Sequence, residues 1–385
     1  MTTVSPCAAL VAEPARVDDE AVRADRRRRL FAALEAHDLD ALVLGRPAEV
    51  AFATGARQLW TAGARPFGPL AVAVRATGRT HLLSVWDADV PPEVGHDDLY
   101  GLSWNPAHIA ASLAAIPGLA EARRVGTTSS SPGFPRLLAA VAPSAAVVDG
   151  GPALWAARGP KSAAEVDRIV AAAGIARAAL DALVAALAPG MSERDLLAVY
   201  LASLAAAGAP TPPTEGVVCA TPTSGPVALR RLATVTPIAA GQLVALDPGG
   251  FCRGYEGGVG RTVVCGGGPP TPAQAALGDR CRFVCDAVAA VCRPGVTGAD
   301  LVAAWTATGE SLPAAPLAHG VGLGVEPPVV GPGVGAGAVL AADTVLAVTG
   351  WVAEPGVGGH LHRDLVLVDA GGPRVLTAES PENGG

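Results

Sequence analysis

Lysine is all but missing from this chain: of the 28 Lys and Arg residues, Lys161 is the only lysine. With Ala, Val and Leu dominating an apolar half of the sequence, this one-sidedness reads as the codon bias of a GC-rich genome and gives Lys161 no role of its own. Aromatic residues are also scarce, at 4%. Positive charge is in deficit, and a net charge of −7 with a pI near 5.5 offers no electrostatic reason to expect nucleic acid. The one basic cluster, Arg26 to Arg29, reads as the solvated face of a first helix that continues into Leu30, Phe31 and Leu34. No uninterrupted apolar run approaches the roughly 18–20 residues that span a bilayer. Residues 1–19 lack a basic segment followed by an apolar one, so they read as a disordered leader rather than a signal peptide. These absences predict a cytoplasmic protein with neither nucleic acid nor membrane as partner. Seven cysteines, odd in number and without a CxxC pair, are expected to be free buried thiols, Cys281 and Cys285 at helical spacing beside Cys292.

A chain of 385 residues is long enough for two or three domain-sized units. Residues 22–37 read as a helix, 40–45 as a buried strand and 49–55 as a helix running into a turn. Residues 72–74 and 80–85 look like paired strands. Helices at 106–116 and 134–141 and a strand at 145–149 continue an alternating α/β pattern over an N-terminal domain at 20–150. The turn-rich 151–160 reads as a linker, ahead of a second domain at 161–378 and a tail at 379–385.

In that second domain a long helix at 162–187 opens on Ser162 with Glu165, a capping box, and stops at Pro189-Gly190. A helix at 192–207 follows, then strands at 216–220, 243–247 and 262–265. Helices at 272–291 and 298–308 and strands at 344–352 and 360–368 complete the domain. Ala188-Pro-Gly-Met-Ser-Glu-Arg-Asp-Leu and Arg293-Pro-Gly-Val-Thr-Gly-Ala-Asp-Leu align residue for residue, an internal echo that implies two related halves.

Residues 243–262 read LVALDPGGFCRGYEGGVGRT, and residues 319–328 read HGVGLGVEPP. Together they resemble the M24 or pita-bread family, which holds methionine aminopeptidase, aminopeptidase P, Xaa-Pro dipeptidase and creatinase. The family pattern runs D-x-G, G-Y-x-x-D-x-x-R-T, H-G-x-G-L-x-x-H-E-x-P and two later Glu. The resemblance implies an α/β chain, with a creatinase-like N-terminal domain followed by a pita-bread domain (α+β, pseudo-two-fold), assembled as a homodimer.

The metal-binding carboxylates of that pattern are mostly replaced here. The first Asp matches Asp247, the second falls on Gly258, and the His matches His319. The next Glu falls on Thr349, with a literal Glu354-Pro355-Gly356 just beyond, and the last falls on Arg363. The His ahead of the first Asp falls on or near Arg230-Arg231, and the second His of the middle motif is deleted, leaving Val325 before Glu326. Two surviving ligands cannot hold a dinuclear centre, and Arg363 brings a fixed positive charge.

By resemblance to creatinase, the metal-free branch of the family, the expected function is metal-independent hydrolysis of a C–N bond in a small carboxylate-bearing substrate. His319 would be the acid/base, with Asp247 and Glu326 as catalytic carboxylates. Arg230 or Arg231 would anchor the substrate carboxylate. Tyr255, Glu256, Arg261, Thr349, His360 and Arg363 would complete the substrate site. No cofactor is expected. One alternative is an Xaa-Pro-type metallopeptidase with substituted ligands, in which Glu256, His360 or His362 rescues a Mn or Co site. The other is a catalytically silent, pseudopeptidase-like binding protein. Trp60, Trp86 and Trp104, on loops of the N-terminal domain, read first as an ordinary aromatic cluster under long loops; by resemblance to related folds, in which a neighbouring subunit's N-terminal domain closes the site, the alternative is that they line that site. Two further motifs fail on context. Gly320-x-Gly322-x-Gly324 runs into Pro327-Pro328 rather than a helix, and Ser224-Gly225 lacks a nucleophile elbow.

Overall fold

The computed structural model describes residues 16–56, 68–85, 90–103, 105–128, 134–209, 211–213, 216–222, 224–230 and 232–378. Arg231, Trp60, Trp86 and Trp104 therefore lie outside the described residues, as does most of the expected leader. The first helix starts inside that leader: α1 runs Arg16–Ala36.

Residues Ala15–Arg158 form one compact unit, and a second begins at Gly159. In the first unit a six-stranded sheet has the order β4-β3-β2-β1-β5-β6. Its strands are β1 (Ala41–Leu44), β2 (Leu70–Val74), β3 (Arg79–Ser84), β4 (Leu99–Gly101), β5 (Arg124–Thr127) and β6 (Ala146–Asp149). The antiparallel pairs are β1–β2 and β2–β3, whereas β1–β5, β5–β6 and β3–β4 are parallel. Central strands β1 and β2 are buried along their whole length, which is why they read as unbroken apolar runs. Helices α2 (Pro47–Thr54), α3 (Pro106–Ala114) and α4 (Phe134–Val141) accompany the sheet. The expected linker is mostly a helix, α5 (Gly151–Arg158), which packs against α1. Leu154 and Ala157 are buried there, so apolar burial overrides the turn composition of its glycines and proline.

In the second unit, α6 (Ala163–Ala186) begins at the predicted capping box: Ser162 Oγ accepts from the Glu165 amide. By length and hydropathy α6 passes as a membrane span, yet it is a core helix here, half of its apolar window being buried. It packs against α7 (Glu193–Ala206) and against a hairpin of β9 (Gly249–Cys252) and β10 (Tyr255–Gly258) that the sequence reading passed over. Glycine makes that contact. Gly250 and Gly257 are partners across the hairpin, and a Cβ on Gly257 would stand 2.3 Å from the amide nitrogen of Ala173. Gly257→Ala is expected to destabilise the protein by about 1–3 kcal/mol. A melting temperature equal to the parent's would show that the hairpin is not seated on α6.

The echo between the halves extends to hydrogen bonding. Ser192 and Thr297 cap α7 and α9 (Gly298–Ala307) in capping boxes with Asp195 and Asp300. Gly190 and Gly295 both have left-handed backbones, with φ of 91° and 86°. Their amides donate to Ile238 and Leu340, which donate back to Met191 and Val296. Each half thus ties its helix pair to its own later loop in the same way, as a pseudo-two-fold domain requires. The first half carries a sheet ordered β11-β8-β7, with β7 (Val217–Ala220), β8 (Leu243–Asp247) and β11 (Arg261–Val264). In the second, the order is β13-β12-β14-β15-β16. These strands are β12 (Ala318–Gly322), β13 (Gly324–Val330), β14 (Val345–Glu354), β15 (Gly358–Leu367) and β16 (Arg374–Val375), covered by α8 (Pro272–Ala290) and α9.

The two sheets meet where Gly260 and Arg363 exchange backbone hydrogen bonds of 3.2 and 3.0 Å. Five cysteines, Cys219, Cys265, Cys281, Cys285 and Cys292, are free and buried as expected, whereas Cys252 is disulfide-bonded.

Candidate active site

Asp247 closes β8, Glu256 lies on β10, Glu326 on β13, and Thr349 and Arg363 face each other in register across β14 and β15. The Arg363 guanidinium joins Asp247 to Thr349. Its Nη1 is 2.8 Å from Asp247 Oδ2, and its Nε donates to Thr349 Oγ1 at 2.8 Å. Glu256 is only 8% exposed, and among the described residues it has neither a hydrogen bond nor an ion pair. Burial raises its pKa to about 7; the Arg363 charge opposes the rise, and the nearby Asp247 and Glu326 carboxylates add to it.

Glu326 is held from two sides. Lys161 Nζ donates to its Oε2 at 2.8 Å, and the Leu323 amide donates to its Oε1 at 3.1 Å. Both members of the Lys161–Glu326 pair are buried, with side-chain exposures of 2% and 3%. The sequence reading treated Lys161 as a by-product of composition, and the structure gives it the buried partner of a site carboxylate. The available signal was its uniqueness: where arginine serves everywhere else, the one lysine sits where a compact ammonium is held.

His319 lies half-buried on β12, which packs against β10. Its Nδ1 is 3.1 Å from the Gly320 carbonyl oxygen. A carbonyl only accepts, so Nδ1 carries the hydrogen and Nε2 is the acceptor of the neutral ring.

Four expected site residues are used elsewhere. Arg230 is paired within the protein: its guanidinium holds the buried Glu193 carboxylate through contacts of 2.6 and 3.2 Å, while the Ala220 and Thr234 amides fill the rest of that carboxylate. Tyr255 neighbours Glu256 on β10 and so points to the opposite face, where its hydroxyl donates to Glu165 at 2.6 Å. Arg261 donates to the Arg363 carbonyl and to Asp364 Oδ1. His360 falls on the α8 side of β15, against Gly278, one residue out of phase with Leu361 and Arg363. Its pKa drops to about 4 through burial, with the His362 charge adding to the effect. His362 shares that side and lies 2.8 Å from Asp364 Oδ2, so neither histidine replaces a lost ligand of the centre.

The family pattern implies a pair of divalent ions, and the donor set does not fit them. Among the described residues no group of three or more His, Cys, Asp or Glu side chains is arranged to hold a metal. The Arg363 guanidinium also sits against the one carboxylate, Asp247, that the pattern retains.

No curated protein matches the chain. Among solved structures it is similar to dipeptidase PepE from Mycobacterium ulcerans, at 24% identity and TM-score 0.73 over 94% of this chain and 96% of that one. It is also similar to the prolidase from Pyrococcus horikoshii OT3, at 21% identity and TM-score 0.74 over 93% and 99%. The Xaa-Pro dipeptidase from Bacillus anthracis aligns at 17% identity and TM-score 0.76 over 93% and 98%. These likenesses establish the fold, including the creatinase-like and pita-bread architecture expected from the sequence. Residues 167–370, just over half of the 385, match the profile of metallopeptidase family M24, and the chain therefore belongs to that family.

Proposed function

We propose that the chain is a metal-independent hydrolase that cleaves a C–N bond in a small carboxylate-bearing substrate. The observation that carries this reading is Arg363, whose fixed charge rests between Asp247 and Thr349 where a two-metal hydrolase needs an oxygen-bound ion. Glu256, titrating near neutrality, is suited to give its proton to a departing nitrogen. The Nε2 of His319 is suited to take a proton from the attacking water. The water oxygen then bonds to the substrate carbon as the C–N bond breaks, and the nitrogen leaves with the Glu256 proton. A guanidinium has five N–H groups, so two spent on Asp247 and Thr349 leave others for a substrate carboxylate. Arg363 thus takes the anchoring role expected of Arg230. Asp247 and Glu326 act through their ion pairs, holding Arg363 and Lys161 in place.

The commitment of Asp247 and Glu326 to internal pairs also favours a second reading, a binding protein without turnover. The test is incubation with amidino acids and Xaa-Pro dipeptides in the presence of excess chelator. Cleavage that is indifferent to chelator is the expected result. Cleavage that chelator abolishes and Mn or Co restores would overturn the proposal in favour of a metallopeptidase, and saturable binding without products would favour the second reading.

A further inference from the structure

The sheet face that carries Arg363 continues into a patch without charge. In register across β14 and β15, Thr349 opposes Arg363 and Trp351 opposes Leu361. Residues two apart on a strand, and residues directly opposed on its neighbour, share a face. The other face of β14 belongs to α8, since a Cβ on Gly350 would stand 2.8 Å from Cys285 Sγ. In the adjoining sheet Val217 opposes Asp247 across β7 and β8. Gly260 lets the two faces meet: a Cβ there would stand 2.4 Å from Leu361 Cδ2 and 3.1 Å from Asp247 Oδ1. Val217, Cys219, Ala245 and Leu361 are buried on this side, and Leu229 and Trp351 pack on them while staying partly exposed. None of the six is charged. Both partly exposed side chains are also held. The Trp351 indole rests on bare backbone, because a Cβ on Gly359 would stand 2.3 Å from its Cη2. Leu229 is fixed by its neighbour, whose amide donates to Cys219 Sγ at 3.4 Å and whose guanidinium is paired with Glu193.

We propose that Trp351 and Leu229 wall a side-chain subsite beside Arg363, and that the substrate is an N-substituted amino acid with an uncharged, apolar side chain. Two residues of strand, about 7 Å, separate Trp351 from the Thr349–Arg363 pair. A carboxylate on the guanidinium therefore leaves the side chain of the same molecule within reach of the indole. A charged group there would lose its hydration with nothing to pair with in the patch, whereas an aliphatic or aromatic group gains by leaving water. With Thr349 on the glutamate of the family's E-P-G, the glycine of that motif falls on Trp351, so the ring is particular to this chain. The inference rests on the reading of Arg363 as the carboxylate anchor and narrows its substrate class.

The test compares N-amidino-leucine with N-amidino-glycine on the purified full chain in excess chelator, reading Kd by calorimetry, or kcat/KM where the compound is cleaved. The two probes differ only in the side chain. The parent is expected to prefer the leucine compound by at least about tenfold. Trp351→Ala and Leu229→Gln should each bring that ratio down to about threefold or less, and Trp351→Phe, which keeps an aromatic wall, should retain it. A ratio is unmoved by a general loss of folded protein, so a merely structural role for Trp351 would leave it at the parent's value. If Trp351→Ala fails to fold, Leu229→Gln carries the comparison. A parent without preference, or variants with the parental ratio, overturns this inference and leaves the metal-independent reading standing. Cleavage that chelator abolishes overturns that reading while the binding preference survives. Failure of the parent to bind either compound overturns the subsite and the Arg363 anchor together.

Discussion

Lys161→Met is expected to lower the unfolding free energy by about 3–5 kcal/mol, among the largest effects a single change in this chain should produce. The side chain is almost the same length, so packing changes little and the loss is electrostatic. Glu326, 3% exposed, would keep the Leu323 amide and lose its 2.8 Å ammonium partner. A buried charge left without its partner is far more costly than a pair removed whole. The double variant Lys161→Met/Glu326→Gln should therefore recover most of the loss, because a neutral amide can still accept from Leu323. Urea unfolding of the parent and the two variants checks this. A single variant within about 1 kcal/mol of the parent would show the pair to be solvated in solution, outside the range for a buried ion pair.

Glu256→Gln is expected to stabilise the protein at alkaline pH and to do nothing in acid. The folded-state pKa of Glu256, about 7, lies above its ordinary value of 4.5. Below about pH 4.5 the carboxyl is protonated whether the chain is folded or not, so it carries no penalty there. As pH rises from 4.5 toward 7 the unfolded chain releases this proton first, and folding stability falls. Above 7 the loss is complete, and a shift of this size corresponds to about 3 kcal/mol. A glutamine cannot ionise and escapes the penalty. Melting temperatures of parent and variant should converge near pH 4.5 and separate as pH rises through neutrality. Parallel curves across that range would refute the buried, near-neutral carboxyl. The same substitution should abolish turnover, so stability and activity are expected to move in opposite directions, as they do where a strained polar group is kept for function.

Much of the architecture was legible because local chemistry and tertiary structure agree. The capping box at Ser162, the Pro-Gly stops, and the repeated Asp-Leu after them marked real helix ends and a real two-fold echo. The replacement of carboxylates by Thr349 and Arg363 was equally readable, and the structure brings those two side chains together. What escaped notice depends on faces and on distant partners. The run of glycines around Tyr255 carries no apolar alternation that would mark a strand, and its flatness serves contact with the Ala172–Ala173 backbone. Strand phase placed Tyr255 and His360 on faces away from Arg363, and no motif states which face a strand turns inward. Arg230 was a reasonable anchor until Glu193, 37 positions earlier, took its guanidinium. Lys161 could not be linked to Glu326 because 165 positions separate them.

The burial of that lysine has a practical side. A chain with one ε-amine, closed at 2% exposure, presents amine-selective reagents and lysine-specific proteases with no side-chain target in its native form. Modification at Lys161 can proceed only when the surroundings of Glu326 open, so acylation there would act as a clock for local unfolding of the centre, resolved from unfolding of the chain as a whole.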